Sequence, residues 1–393
     1  MQRPLYSAPR WPVGIVVTFA VALLGGAAQA QTSSWNSKPE PDAAAQSAPT
    51  KAAPAKSAPP KAMAPAAAAP VVPATKTPAP LKGRLETKST PGFVKGPLPG
   101  AKTPGTIKAT GDDAAFIAFE NGQFLTAMSL AEVAAAKGEP EAHTLIGRIY
   151  AEGLGLGRDL ALAASWYKKA ADLGDVEGAF ALGLMLAEGR GVQKDFTAAA
   201  AMFERAALKG HPYANYNLAQ LFLSGNGKPE NPYRGAQHLQ YAAEKGIAAA
   251  QYDLATLYLA GVGVPNDAYE ASRWLKRAAE QGMVEAQYDY AVLLLKGSGL
   301  NADMPKAVDY LKAAAEKGVP GAQNRMAYML SDGISITRDM KEAAKWRLIA
   351  KAAGFADDTL DKMVARLPAA ERRAAEQEAS AWVDRALLGG GLQ

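Results

Sequence analysis

Catalysis needs side chains placed to attack, to move protons or to hold a metal, and few in this 393-residue sequence are so placed. It has no cysteine, which excludes disulfides, thiolate ligands and thiol nucleophiles. The three histidines, His143, His211 and His238, occupy unrelated positions of the repeat described below and do not converge at the spacing a metal site requires. Gly153-Leu154-Gly155-Leu156-Gly157 looks like a phosphate loop. The same Gly-x-Gly recurs at Gly189/Gly191, Gly225/Gly227, Gly261/Gly263 and Gly297/Gly299, each time after a helical rather than a strand pattern, so turn geometry explains it. There is no G-x-S-x-G elbow. The recurring Asp159, Asp195, Asp267, Asp303 and Asp339 stand just before helical apolar patterns and are read as helix N-caps, not as acid/base carboxylates. The expectation is a protein that is not an enzyme, with no metal and no cofactor.

The elements that position these residues repeat. Gly138, Gly174, Gly210, Gly246, Gly282, Gly318 and Gly354 are spaced by 36 residues without an insertion. Given how often glycine occurs, six such coincidences arise by chance on the order of once in a million, so the chain is a repeat array. Six units follow, from 139–174 to 319–354. In the fourth, Ala250, Leu254, Leu257 and Tyr258 share one helix face, Gly261 to Pro265 break the helix, and Asp267 with Glu270 reads as a capping box. Ala271, Trp274, Leu275, Ala278 and Ala279 form the apolar face of a second helix, which Gly282 ends. The fold class expected is all-α: an α/α superhelical solenoid of six 36-residue helix-turn-helix repeats with helical caps, preceded by a disordered tail.

The pattern resembles the Sel1-like repeat, a relative of the tetratricopeptide repeat. In the first unit it is carried by Ala142, Ile146, Gly147, Tyr150, Gly153, Gly155, Asp159, Ala163, Trp166, Ala170, Ala171 and Gly174, and it recurs through the other five over about 55% of the chain. Departures are local: Gly178 replaces the first Ala, Asn231 the capping Asp, Gly235 the second-helix Ala, His238 the Trp and Ser335 the second turn Gly. Residues 111–138 read as an N-terminal capping helix pair of tetratricopeptide type, turning at Gly122. Residues 355–388 read as C-terminal capping helices, the last with an apolar stripe of Ala374, Ala381, Trp382, Ala386 and Leu387, and 389–393 as a flexible end.

The resemblance implies a superhelix whose first helices line the concave side, and similar periplasmic repeat proteins bind and restrain sensor kinases. Counting from 139, first-helix positions 4, 8, 11 and 12 form the core stripe, which leaves 3, 6, 10 and 13 facing away. Phe180, Tyr216, Tyr252 and Tyr288 all sit at position 6, beside Asn217, Asp253 and Asp289 at position 7. One reading makes these residues a groove for a partner's peptide or helix. The other makes the aromatic ladder the packing between successive first helices. No nucleic-acid partner is expected, because beyond residue 110 the chain has 30 Lys+Arg against 35 Asp+Glu.

The ends carry the remaining signals. Met1 to Ala30 reads as a secretory signal, with Arg3 and Arg10, an apolar run from Trp11 to Leu24 and a cleavage site at Ala28-Gln29-Ala30. The expected location is periplasmic or secreted, the alternative being an uncleaved inner-membrane anchor. Residues 31–110 hold 15 of the 26 prolines, with 11 Lys+Arg against 3 Asp+Glu, and read as a disordered linker of net charge +8. Two functions fit: a scaffold or adaptor binding another protein on the groove, for which the resemblance implies regulation of a signalling protein as one role among others, or an envelope-structural protein whose tail contacts peptidoglycan or a membrane surface.

Overall fold

The computed structural model describes residues 114–388, and those residues form 16 α-helices with no strand. The signal at 1–30, the linker at 31–110 and the end at 389–393 lie outside the described residues. A short helix pair, α1 (Ala114–Glu120) and α2 (Phe124–Ala136), turns at Gly122. Six pairs of 13-residue helices follow. Their first helices are α3 (Pro140–Glu152), α5 (Val176–Glu188), α7 (Pro212–Ser224), α9 (Ala248–Ala260), α11 (Val284–Lys296) and α13 (Pro320–Asp332). Their second helices are α4 (Leu160–Asp172), α6 (Phe196–Leu208), α8 (Pro232–Glu244), α10 (Ala268–Glu280), α12 (Met304–Glu316) and α14 (Met340–Ala352). Two closing helices, α15 (Asp358–Ala365) and α16 (Ala369–Leu388), end the described chain. No described helix is long and apolar enough to cross a membrane.

Local chemistry fixes each boundary. Asp159, Asp195, Asp267, Asp303 and Asp339 accept backbone N–H bonds of 2.8–3.0 Å from the first turns of their helices, and Asn231 caps α8 in the same way at 3.0 Å. The reciprocal half of the Asp267/Glu270 box is not made. The Asp267 N–H donates to Tyr258 O at 3.0 Å, and Glu270 pairs with Arg273. At the far end of α10, Gly282 takes φ +83°, and its N–H and that of Met283 satisfy the carbonyls of Ala279 and Ala278. Gly263 has a steric reason as well: its φ is +72°, and an added Cβ would overlap the Pro232 carbonyl of the preceding repeat. In the last repeat the same turn position is Ser335, the only described non-glycine residue at positive φ, 54°.

The core follows volume complementarity across each pair. Where the first helix carries glycine the facing second-helix residue is aromatic: an added Cβ at Gly147 or Gly183 would press to 2.8 or 2.7 Å on Tyr167 or Phe203. Where it carries Ala219, Ala255 or Ala291, the partner position holds Leu239, Leu275 or Leu311, all fully buried. In the sixth repeat that position is Arg347, with no exposed surface. Its guanidinium donates to Asp361 at 2.8 Å, Asn324 at 3.0 Å and the Phe355 carbonyl at 2.8 Å. Buried Asp357 accepts from Asn324, Tyr328 and its own helix N–H groups, so the closing helices are keyed to the last repeat by polar groups. On α16 the buried side chains are Ala375 and Ala379, with Trp382 packed on the core, whereas Ala381 is exposed. The apolar stripe is therefore shifted by one residue from the Ala374/Ala381 phase, so that it meets Trp346 (ring centroids 6.2 Å from Trp382).

Candidate functional site

The ladder residues proposed from sequence as a groove are mostly interior. Phe180 is 2% exposed, Tyr216 and Tyr252 are each 6% exposed, and Asn217 has no exposed surface. Tyr288, Asp253 and Asp289 are half-buried. At 100° per residue, position 6 lies about 100° from position 7, on the flank that meets the next repeat's first helix. Position 6 therefore belongs to the seam between repeats, and the groove assignment of Phe180, Tyr216, Tyr252 and the fully buried Asn217 is corrected to packing.

That seam is polar at its outer edge. Tyr216 donates to Asp253 at 2.9 Å, joined on the same oxygen by Gln220 at 2.8 Å, and Tyr252 donates to Asp289 at 2.8 Å. Tyr288 accepts from Arg325 at 3.4 Å, and its hydroxyl would lie 2.8 Å from a Cβ at Gly321. Burial first, and the Asp253 carboxylate second, push the Tyr216 phenol far above its ordinary pKa, so it stays a donor. In the first repeats the contact changes character. Thr144 donates to Asp175 at 2.5 Å, and Phe180 packs on His211 with ring centroids 4.3 Å apart.

The flank away from the core is the stripe formed by first-helix positions 3, 7, 10 and 14, which fall within about 60° of one another; it is exposed mainly at positions 3 and 14, while Leu145, Ala181, Leu184, Asn217 and Val292 on it are buried. Across the six repeats these positions hold eight carboxylates, among them Glu141, Glu177, Asp253, Glu285 and Asp289, against the three cations Arg148, Lys296 and Arg325. Glu141 and Glu285 are exposed. Near its start a small cleft of about 50 Å³ opens between Phe116, Glu141, Leu145, Arg148, Asp175 and Glu177. Arg148 there pairs with Glu152 at 2.9 Å and lies 4.5 Å from the Phe119 ring centre. Burial raises the Asp175 pKa, the Thr144 and Gly178 hydrogen bonds oppose this, and Glu141 and Glu177 add to the rise. Each histidine is engaged separately. His143 pairs with the Glu139 carbonyl at 2.9 Å, His211 caps α7, and His238 meets Asn215 at 2.9 Å while stacking on Phe222. The arrangement presents a row of carboxylates interrupted at the third repeat, with Glu152 and Glu188 paired to Arg148 and Arg190, and no described group of carboxylates and histidines is placed to hold a metal ion.

Comparison with known proteins agrees with this architecture. The Sel1 repeat family model matches residues 140–175, 176–211, 212–247, 248–283, 284–319 and 320–355. The chain belongs to the Sel1 repeat family. Its matched units start one residue after those counted from Gly138, a shift of phase and not of period. Among solved structures, a Sel1 repeat protein from Oxalobacter formigenes is 28% identical, with TM-score 0.53, covering 62% of this chain and 97% of that one. The protective antigen c5321 of uropathogenic Escherichia coli is 25% identical, with TM-score 0.51, covering 70% and 68%. No curated protein matches the chain. Sel1 repeat proteins are generally protein-interaction scaffolds, and the fold is typically non-catalytic.

The residues that sequence reasoning missed are the buried Arg347 and Asp357 and the stripe at position 14. Arg347 was detectable as a charge at a position otherwise held by Leu or an aromatic residue.

Proposed function

We propose that this Sel1 repeat protein is an exported adaptor in the cell envelope that captures another protein along the acidic first-helix stripe. The observation carrying this reading is that stripe. Two of its carboxylates are fixed by the Tyr216–Asp253 and Tyr252–Asp289 bonds, and carboxylates stand on it in every repeat but the third. Fixed carboxylates beside half-buried Tyr288 suit a partner segment carrying Lys or Arg with apolar neighbours. A signalling protein is one partner class this reading accommodates.

The test is in-cell crosslinking and pull-down, comparing the native chain with a Glu141→Lys/Glu285→Lys variant. Both side chains are exposed, so the folding midpoint should stay unchanged. Recovery of one dominant protein with the native chain and its loss with the variant supports the adaptor. A second reading is favoured by the +8 charge of residues 31–110: the tail tethers the protein to anionic envelope material. Recovery of wall or lipid material alone, lost on deleting 31–110, would select that reading.

A further inference from the structure

At the seam between the fifth and sixth repeats, three positions of the array depart from the pattern at one place. Position 7, which holds Asp253 and Asp289 in the two repeats before, holds Arg325 in the sixth. At the two preceding seams the tyrosine at position 6 donates its proton to that carboxylate, Tyr216 to Asp253 at 2.9 Å and Tyr252 to Asp289 at 2.8 Å. Tyr288 has the opposite partner. Its oxygen accepts from Arg325 Nε at 3.4 Å, a long bond that leaves the phenolic proton to be donated elsewhere. Position 3 of the sixth repeat is Gly321, which keeps that hydroxyl uncovered: an added Cβ would stand 2.8 Å from it. Position 14 of the fifth repeat, held by Glu152 and Glu188 in the first two, is Lys296.

The two cations are close enough to act on each other. Burial first, and the Arg325 charge second, lower the Lys296 pKa. Arg325 is half-buried and forms no ion pair among the described residues. Of the stripe carboxylates in the same two repeats, Asp289 takes the Tyr252 proton, Asp332 accepts from Ser331 at 3.2 Å, and Glu285 is exposed. Lys296 is exposed and Tyr288 half-buried, so all three donors are within reach of solvent.

We infer that Arg325, Lys296 and Tyr288 bind a carboxylate brought by a ligand, in the place where the two preceding seams carry their own. Arg325 and Lys296 supply the charge, the Tyr288 O–H supplies a third donor, and Gly321 supplies the room. That the carboxylate belongs to the captured protein, whose cationic part then faces the first two repeats, rests on the proposed function; the site itself does not.

The test is ligand-observed saturation-transfer NMR with the full chain and three N-acetylated glycine tetrapeptides: one with a free terminal carboxylate, one amidated, and one amidated with a single internal aspartate. Binding of the first alone assigns a chain end, and binding of the aspartate peptide as well assigns side chains too. Tyr288→Phe, which keeps the ring, should weaken binding about tenfold. Arg325→Asp gives Tyr288 a carboxylate of its own, as at Tyr216 and Tyr252, and should abolish binding while the unfolding midpoint stays equal or rises. That variant separates loss of the site from loss of the fold. No binding of either carboxylate peptide, equal binding of the amidated control, or undiminished binding by Arg325→Asp would overturn the site. Displacement of the peptide by a tenfold lower concentration of inorganic phosphate would overturn the assignment to a carboxylate. Carboxylate binding with no protein recovered in the pull-down would retain the site and overturn the adaptor reading instead.

Discussion

Tyr252 and Asp289 belong to successive repeats, 37 residues apart, and meet through a 2.8 Å hydrogen bond from the phenol to Oδ2. The same bond joins Tyr216 to Asp253 one repeat earlier. Removing only the hydroxyl, as in Tyr252→Phe, should lower stability by about 1–2 kcal/mol, because a bond to a charged acceptor is lost while the ring remains. Tyr252→Ala also opens a cavity and should cost about 3 kcal/mol or more. Denaturant unfolding measures both. Equal stability of the three proteins would return the tyrosines to the groove.

The closing helices depend on Arg347, which is fully buried against Asp361, Asn324 and the Phe355 carbonyl. Arg347→Ala should destabilise the protein by about 3 kcal/mol, since buried Asn324 loses its donor and Asp361 loses one of its two cationic partners. Limited proteolysis should then cut first within α15 or α16. Cleavage starting elsewhere would show that the closing helices hold without this side chain.

Alkaline pH should loosen the same end. Burial, then the Asp357 charge and hydrogen bond, push the Tyr328 phenol up to about 12 from its ordinary 10. A raised pKa means that the folded form keeps a proton which the unfolded chain releases above pH 10. The stabilisation is therefore complete below about pH 10 and is lost progressively as pH climbs towards about 12. Tyr328→Phe should flatten the fall in unfolding midpoint over that window. An identical slope in the variant would assign the alkaline loss to other groups.

Turn glycines should divide by cause. Gly263→Ala puts a methyl into the Pro232 carbonyl and should cost more than about 2 kcal/mol, whereas Gly282→Ala meets nothing within 4 Å and bears only the left-handed backbone cost of about 1 kcal/mol. Ser335→Gly, at φ 54°, should stabilise by roughly 0.5–1 kcal/mol. Thermal melts of the three variants check the order, and a stable Gly263→Ala would refute the close approach.

The period, the helix pairs and the caps were legible because each is written locally: a glycine after every second helix, an aspartate before it, and apolar residues at helical spacing. The role of position 6 was not. A helical wheel orders residues about one axis, but which flank meets the next repeat depends on the rotation between repeats, which Tyr216 and Tyr252 do not encode alone. The phase of α16 was hidden for another reason: its alanines offer little contrast in apolarity, and the partner that selects Ala375 and Ala379 is Trp346, far back in the chain. Arg347 stands where the earlier repeats carry Leu or an aromatic residue, but its partners Asp361 and the Phe355 carbonyl come from the segment that follows the last repeat, which the repeat pattern does not describe.

The buried apolar residues of the described chain are unevenly joined. One continuous cluster joins residues from Tyr216 to Ala379, a small one of Ala344, Val364 and Ala375 lies at the closing helices, and the residues of the earlier repeats divide among smaller clusters around Phe119, Tyr167 and Phe203. Pulled from its two ends, such a molecule yields asymmetrically: the early repeats peel away one at a time, and the later ones resist as a single block. Hydrogen exchange would then age the protein from its N-terminal side, the side on which the basic tail enters.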